Sequence, residues 1–230
     1  MSAVDGSGHQ SSRAQLSAAC AQLLQDLLAD DEYADVSFRV AGETISAHKN
    51  IVCQMSDVFS VMFKPGMQEG NSSIADIKHC EPDVFRAFKK FVYLQALDFE
   101  ELMQMGRGVL PLVYQYQLKT KDIFVGLLLK PREDQPTSGS IFDFIEQVEE
   151  AVVFGDEVEL LVSANREDDS LQKLQDAFHD WIIARMREDK AVFDMVDGRD
   201  GLRRAIMQRM LQVYEVQASE GEQAAAPQTP

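Results

Sequence analysis

Histidine and cysteine are scarce in this chain, and bases are outnumbered: 4 His, 3 Cys, and 22 Lys and Arg against 38 Asp and Glu in 230 residues. Each shortage excludes a class of function. Cys20, Cys53 and Cys80 are odd in number, widely spaced and set in apolar-looking segments. They are expected to be reduced packing residues of an intracellular protein rather than a disulfide frame. Among His9, His48, His79 and His179, none has a Cys or His partner at zinc spacing, and the adjacent pair His79-Cys80 cannot supply four ligands. Neither a Gly-x-Ser-x-Gly elbow nor a Gly-x-x-x-x-Gly-Lys loop occurs. No enzyme activity, cofactor or metal is therefore expected. A net charge of −16 repels phosphate backbones, which argues against a nucleic-acid partner. The longest apolar stretch, about Phe124 to Leu129, falls far short of the ~20 residues of a membrane span. The opening MSAVDGSGHQSS lacks the charged-then-apolar layout of a signal peptide. No membrane partner is expected, and the place of action is expected to be the cytoplasm, the nucleus or both.

What is present is an ordinary apolar share, 45%, enough for a real core. The charge is unevenly placed. Twelve acids and one base, Arg166, lie between Glu133 and Asp169, so −11 of the −16 sits in that stretch. No Asp-x-Asp-x-Asp-Gly calcium loop occurs there, and Asp156-Glu157-Val158-Glu159 lacks ligand spacing, so a solvated helix surface is expected.

Composition divides the chain into tails at 1–14 and 216–230, a Pro/Ser/Gly-rich linker at 131–140, and two ordered segments at 15–130 and 141–215. The first segment opens with Leu16, Ala19, Cys20, Leu23, Leu24, Leu27 and Leu28, one face of a helix with no apolar neighbour before it. The period then falls to 2. Val36, Phe38 and Val40 alternate with small or polar residues, Ala41-Gly42-Glu43 turns the chain, and Ile45 and Ala47 continue on a second strand. Ile51 to Phe63 reads as two short helices with Ser56 as the second cap, ended by Lys64-Pro65-Gly66. A strand near Ser73 to Ile77 precedes a helix opened by Pro82, with Val84, Phe85, Phe88, Phe91 and Val92 on one face. Two more helices are expected between Leu102 and Leu129, with Gly106-Arg107-Gly108 as a loop before a helix. That order predicts an α+β domain: helices around a small mixed sheet. The second segment reads as nearly all helix, with stripes at Ile141, Phe144, Ile145, Val148 and Val152, at Leu171, Leu174, Phe178, Trp181 and Ile182, and at Leu202, Ile206, Met210 and Val213. His179 is expected on the polar side of its helix.

Asp35-Val36, then Ala47-His48-Lys49, then Val58-Phe59 with Met62-Phe63, then Pro82 through Tyr93 occur in this order and spacing. Together they resemble the BTB/POZ domain, over roughly Leu16 to Lys130. At the strand-end motif this sequence reads Tyr93-Leu94-Gln95, where a Tyr-Thr-Gly type turn is common. The segment from Ile141 to Tyr214, with FHDWIIARMREDKAVFDMV, is similar to the BACK-type helical extension that follows many such domains.

The resemblance implies a homodimer in which the first helix packs on the partner chain, with Leu16, Leu23, Leu24 and Leu27 at the interface. It implies a cullin-3-type ubiquitin ligase scaffold as partner, docked through Met67 and Glu69 of Met67-Gln68-Glu69 together with Phe63, and a protein substrate of unknown identity. It further implies a polar groove at Asp35, His48 and Lys49, although His48 and Asp35 are expected to satisfy each other or backbone groups. The alternative is an assembly or co-regulator scaffold that dimerises through the same domain without a cullin.

Overall fold

Alternating apolar residues build the hairpin on which the first unit rests. Strand β1 (Val36–Val40) pairs antiparallel with β2 (Glu43–Ala47), placing Phe38 opposite Ile45, while β3 (Ile74–Ile77) lies parallel on the other side of β1. The sheet order is β2-β1-β3. A computed structural model describes the backbone at 7–130, 140–145 and 148–224, and the side chains at 17–130, 140–142, 145 and 149–213. The chain divides into two compact units, 1–127 and 128–230.

In the first unit, α1 (Ser7–Ala29) precedes the hairpin, and α2 (Lys49–Met55), α3 (Asp57–Met62) and α4 (Gln68–Ser72) connect it to β3. Helices α5 (Pro82–Leu94), α6 (Phe99–Gln115) and α7 (Lys121–Leu129) follow. The expected α+β arrangement is thus observed. Its core is aromatic. Phe38 stands 5.1 Å from Phe59, 5.8 Å from Phe63 and 5.0 Å from Phe85 between ring centroids, and Phe59 stacks on Tyr116 at 4.6 Å. Such pairs add to the area they bury. Ser56 caps α3 as its position suggests. It is buried, its Oγ accepts from the Phe59 N–H at 3.0 Å, and it donates to the Tyr116 carbonyl at 2.5 Å.

Several expectations need correction. Gly106-Arg107-Gly108 and Pro111 all lie inside α6, which starts earlier than its apolar stripe because Asp98 and Glu101 form a reciprocal capping box. Gly108 belongs there because α6 passes close to α5: a Cβ on it would come within 2.9 Å of Val84. Helix α1 begins at Ser7 and α11 runs to Ala224, so helix extends into both segments read as tails; residues 1–6 and 225–230 lie outside the described residues. Most of the expected linker, 131–139, also lies outside them. Cys20 is exposed rather than packed, whereas Cys53 and Cys80 are half-buried and all three are free.

The second unit is helical: a 3-10 turn at Ile141–Phe144, then α8 (Val148–Ala164), α9 (Asp169–Glu188), α10 (Lys190–Asp197) and α11 (Asp200–Ala224). The α9 stripe of Leu171, Leu174, Phe178, Trp181 and Ile182 is fully buried. Phe142 gathers Phe154 at 5.4 Å, Phe178 at 5.3 Å and Trp181 at 6.3 Å. His179 reverses its expected place: it is buried, and burial together with the Arg209 guanidinium holds its pKa below the usual 6.5. Part of the acidic stretch is structural. The Asp168 carboxylate caps α9 by accepting from the Ser170 and Leu171 N–H groups, and Asp156 pairs with Arg199 at 3.6 Å, while Glu149 and Glu150 are exposed. No helix among the described residues is long and apolar enough to cross a membrane.

Candidate interaction surfaces

The Met67-Gln68-Glu69 triplet sits where α3 hands over to α4. Phe63 ends α3, and Lys64 to Gly66 turn the chain so that the Met67 N–H donates to the Lys64 carbonyl at 3.2 Å. Met67 is then the extended N-cap residue of α4, whose carbonyl accepts from the Asn71 N–H at 3.1 Å, and the Glu69 carbonyl accepts from the Ser73 N–H at 2.8 Å. Backbone bonds on both sides thus hold a five-residue helix that presents Met67 at 44% exposure, with Glu69 half-buried in its first turn. Val61, on α3, is also exposed. Phe63 does not join them. Its ring is buried in the aromatic core against Phe38, so its side chain is out of a partner's reach.

Helix α1 lies against α5 of its own chain. Leu24, Leu27 and Leu28 are half-buried there, whereas Leu23 points away at 59% exposure; the Leu16 side chain lies outside the described residues. The end of α1 borders a groove of about 530 Å³ whose other walls include Ile45 of β2, Ala87 and Lys89 of α5, and Met105 of α6. Its bases are all matched within it or at its edge. Arg86 pairs with Glu43 and with Asp83, Lys90 with Glu101 at 2.5 Å and Asp98 at 3.5 Å, and Lys89 with Asp31 at 3.7 Å. Burial pushes the Lys89 ammonium below its ordinary pKa, against the pull of Asp31. These mutual pairs leave no surplus positive charge to capture an anion.

Asp35, His48 and Lys49 are close together but do not form an open polar site. The Asp35 carboxylate accepts from the Lys49 N–H at 2.6 Å, capping α2 from outside the helix because His48, its N-cap residue, makes no side-chain cap bond. His48 is buried. Its N–H donates to the Tyr93 hydroxyl at 2.8 Å, and its Nδ1 lies 2.9 Å from the same oxygen. One hydroxyl thus meets both the backbone N–H and the ring of His48. Tyr93, which sequence reasoning did not assign, is thus the residue that fixes His48; its phenol pKa is raised, chiefly by burial. The distance in sequence between 48 and 93 hides this pair. Gln95, where the resemblance leads one to expect glycine, does take a left-handed conformation (φ 55°), and its amide donates to the Phe91 and Val92 carbonyls.

The three-stranded mixed sheet, the helix pair capped by Ser56 and the Pro82 helix coincide with a known module. The family model described as BTB/POZ domain matches residues 24–121. Those residues are a BTB/POZ domain. A BTB/POZ domain-containing protein of Arabidopsis thaliana is 29% identical over 93 residues, which are 40% of this chain and 12% of that protein. The chain therefore spans a small part of the length of that curated relative. Among solved structures, the BTB domain of zebrafish PATZ1 is similar, at 18% identity over 53% of this chain and 91% of that one, with a TM-score of 0.35. BTB/POZ domains are protein-interaction modules, not catalytic folds. Among the described residues no group of three or more His, Cys, Asp or Glu is placed to hold a metal ion.

Proposed function

We propose that this chain is a homodimeric adaptor whose BTB/POZ domain docks a cullin-3-type ubiquitin ligase scaffold, in the cytoplasm, the nucleus or both. The observation that carries the reading is Met67, a thioether presented at 44% exposure from a backbone-clamped turn two residues before Glu69. A thioether fills an irregular pocket without demanding one shape, and a neighbouring carboxylate selects a partner that offers a donor. Leu23 supports the dimer. At 59% exposure it lies on a helix where Leu24, Leu27 and Leu28 are half-buried, and covering such a side chain is worth about 1.5–3 kcal/mol. A two-fold pair would count it twice.

Helices α8 to α11 fit a BACK-like extension that lengthens the scaffold contact or holds a protein substrate. Two copies per dimer would raise the effective concentration of substrate at the ligase. The test is a pull-down with cullin-3 alongside light scattering. Wild type is expected to bind as a dimer, and Met67→Glu with Glu69→Lys to remain dimeric and lose the cullin. A dimer that never retains cullin-3 would leave the assembly-scaffold reading in place. A monomeric mass at micromolar concentration would remove the dimer.

A further inference from the structure

The third apolar stripe of the helical unit starts in the core and ends outside it. Leu202 and Ile206 are buried, but Met210, one turn on, is 46% exposed, and beside it Met207 is 59% exposed. Ile206, Met207 and Met210 line one wall of a groove of about 570 Å³ between three helices, with Ile183 and Met186 of α9 and Phe193 of α10 opposite. Phe193 is 49% exposed. Exposed apolar side chains gathered in one groove offer a place for a partner's apolar side chains. Two thioethers in its open wall suit a partner of variable shape.

The rim identifies the partner's chemistry. Arg187, Arg203 and Arg204 edge the groove together with a single acid, Asp197. Arg203 is spent on Asp197 at 3.2 Å and Asp200 at 3.1 Å. Arg187 and Arg204 have no carboxylate partner among the described residues, and Arg204 only donates to the Asp200 backbone carbonyl. Two unmatched guanidiniums beside an apolar floor leave the rim with a surplus of positive charge. They favour carboxylates placed next to bulky apolar side chains. The walls are helices throughout, so no strand edge is available to pair with an extended backbone, and a bound segment must satisfy its own peptide groups.

We propose that this groove docks an acidic amphipathic helix from a partner protein, with two or three large apolar side chains at i, i+3 or i+4, i+7 spacing set into the floor and Asp or Glu flanking them against Arg187 and Arg204. The inference does not depend on the cullin reading, which concerns the other unit.

The experiment titrates the full chain into three fluorescein-labelled probes and follows anisotropy. One is a Glu-rich helical peptide with Leu at i, i+3 and i+7; the second carries Lys for Glu; the third scrambles the first so that its leucines no longer share a face. Because methionine-lined grooves accept many apolar faces, even a generic acidic helix is expected to bind at least about tenfold tighter than either control, and more weakly as salt rises. Met207→Glu with Met210→Glu is expected to abolish binding. Arg187→Glu with Arg204→Glu is expected to transfer the preference to the Lys peptide. All four positions are solvent-exposed or at the groove edge, so helical circular dichroism and the melting point should be retained. Equal affinity for the three probes, no binding at millimolar peptide, or retained binding by both double variants would overturn the proposal. So would a fall in the oligomeric mass of the full chain caused by Met207→Glu with Met210→Glu, since the groove's occupant would then be a second copy.

Discussion

Gly70 crosses the end of α3 so closely that a Cβ there would stand 1.9 Å from the carbonyl oxygen of Lys64. The obstacle is backbone and cannot swing away, so any side chain at this position has to push α4 off the preceding turn. Gly70→Ala is expected to destabilise the first unit by about 1–3 kcal/mol, the usual range for overpacking. It should also move Met67, whose N–H and carbonyl bonds tie it to both sides of that contact. A lower urea midpoint with unchanged slope checks the first effect, and faster amide exchange at Asn71, whose N–H donates to the Met67 carbonyl, checks the second.

Ser56 does two tasks with one hydroxyl, accepting from the Phe59 N–H and donating to the Tyr116 carbonyl. Its burial means that water cannot replace either bond. Ser56→Ala is expected to cost about 2 kcal/mol or more, combining the loss of a helix cap with an unpaired buried carbonyl. Chemical denaturation of the variant measures it, and a loss below about 0.5 kcal/mol would contradict the double role.

Tyr116 supplies a spectroscopic probe of the same core. Burial, and behind it the nearby Cys80, push its phenol up to about 12. The ionised form is disfavoured in the fold relative to the unfolded chain, so stability is full below about pH 10 and is lost as pH rises from there towards 12. Phenolate absorbance should show this tyrosine titrating late, with its step absent in Tyr116→Phe.

Asp35 caps α2 across a gap of 14 residues, with its carboxylate 2.6 Å from the Lys49 nitrogen. Asp35→Ala is expected to cost about 0.5–2 kcal/mol, and Asp35→Asn much less, because an amide oxygen still accepts the bond. Amide exchange at Lys49 reports it directly: protection should fall in the alanine variant and persist in the asparagine one.

Features set by neighbouring residues were legible in the sequence, and features set by distant ones were not. The α5 face of Phe85, Phe88, Phe91 and Val92 is buried as its 3.6 period implies, and Ser56 and Pro82 stand at the helix starts their chemistry favours. Gly106, Gly108 and Pro111 carry the local signs of a loop, yet the contact between Gly108 and Val84 keeps them in α6. The Asp98 and Glu101 box was a readable signal for the true start of that helix. Phe63 shows the limit at the candidate site. It belongs to the same sequence motif as Met67, but only the position of Phe38, on a strand 25 residues earlier, decides that its ring turns inward. The Met67 and Glu69 turn was recognisable because it lies within one short run of chain, while the link between His48 and Tyr93 required the fold.

His179 is the group through which the helical unit should feel pH. Its ring is buried on α9, with Phe178 beside it at 5.8 Å, Asp176 and Asp180 on its own helix, and Arg209 of α11 facing it. The Arg209 guanidinium is held by both Asp180 oxygens, at 2.9 and 2.7 Å, and by Asp176 at 3.1 Å, so the carboxylates that would favour a charged imidazole are already engaged. Burial therefore dominates, and the folded pKa lies below the unfolded 6.5. Between those two values the unfolded chain binds the extra proton. The contribution is complete above about pH 6.5 and declines as pH falls through the interval below it. His179→Gln should flatten this part of the stability profile in denaturant titrations run from neutral pH downward. A profile whose slope near pH 6 is the same in the variant would assign the dependence to other groups.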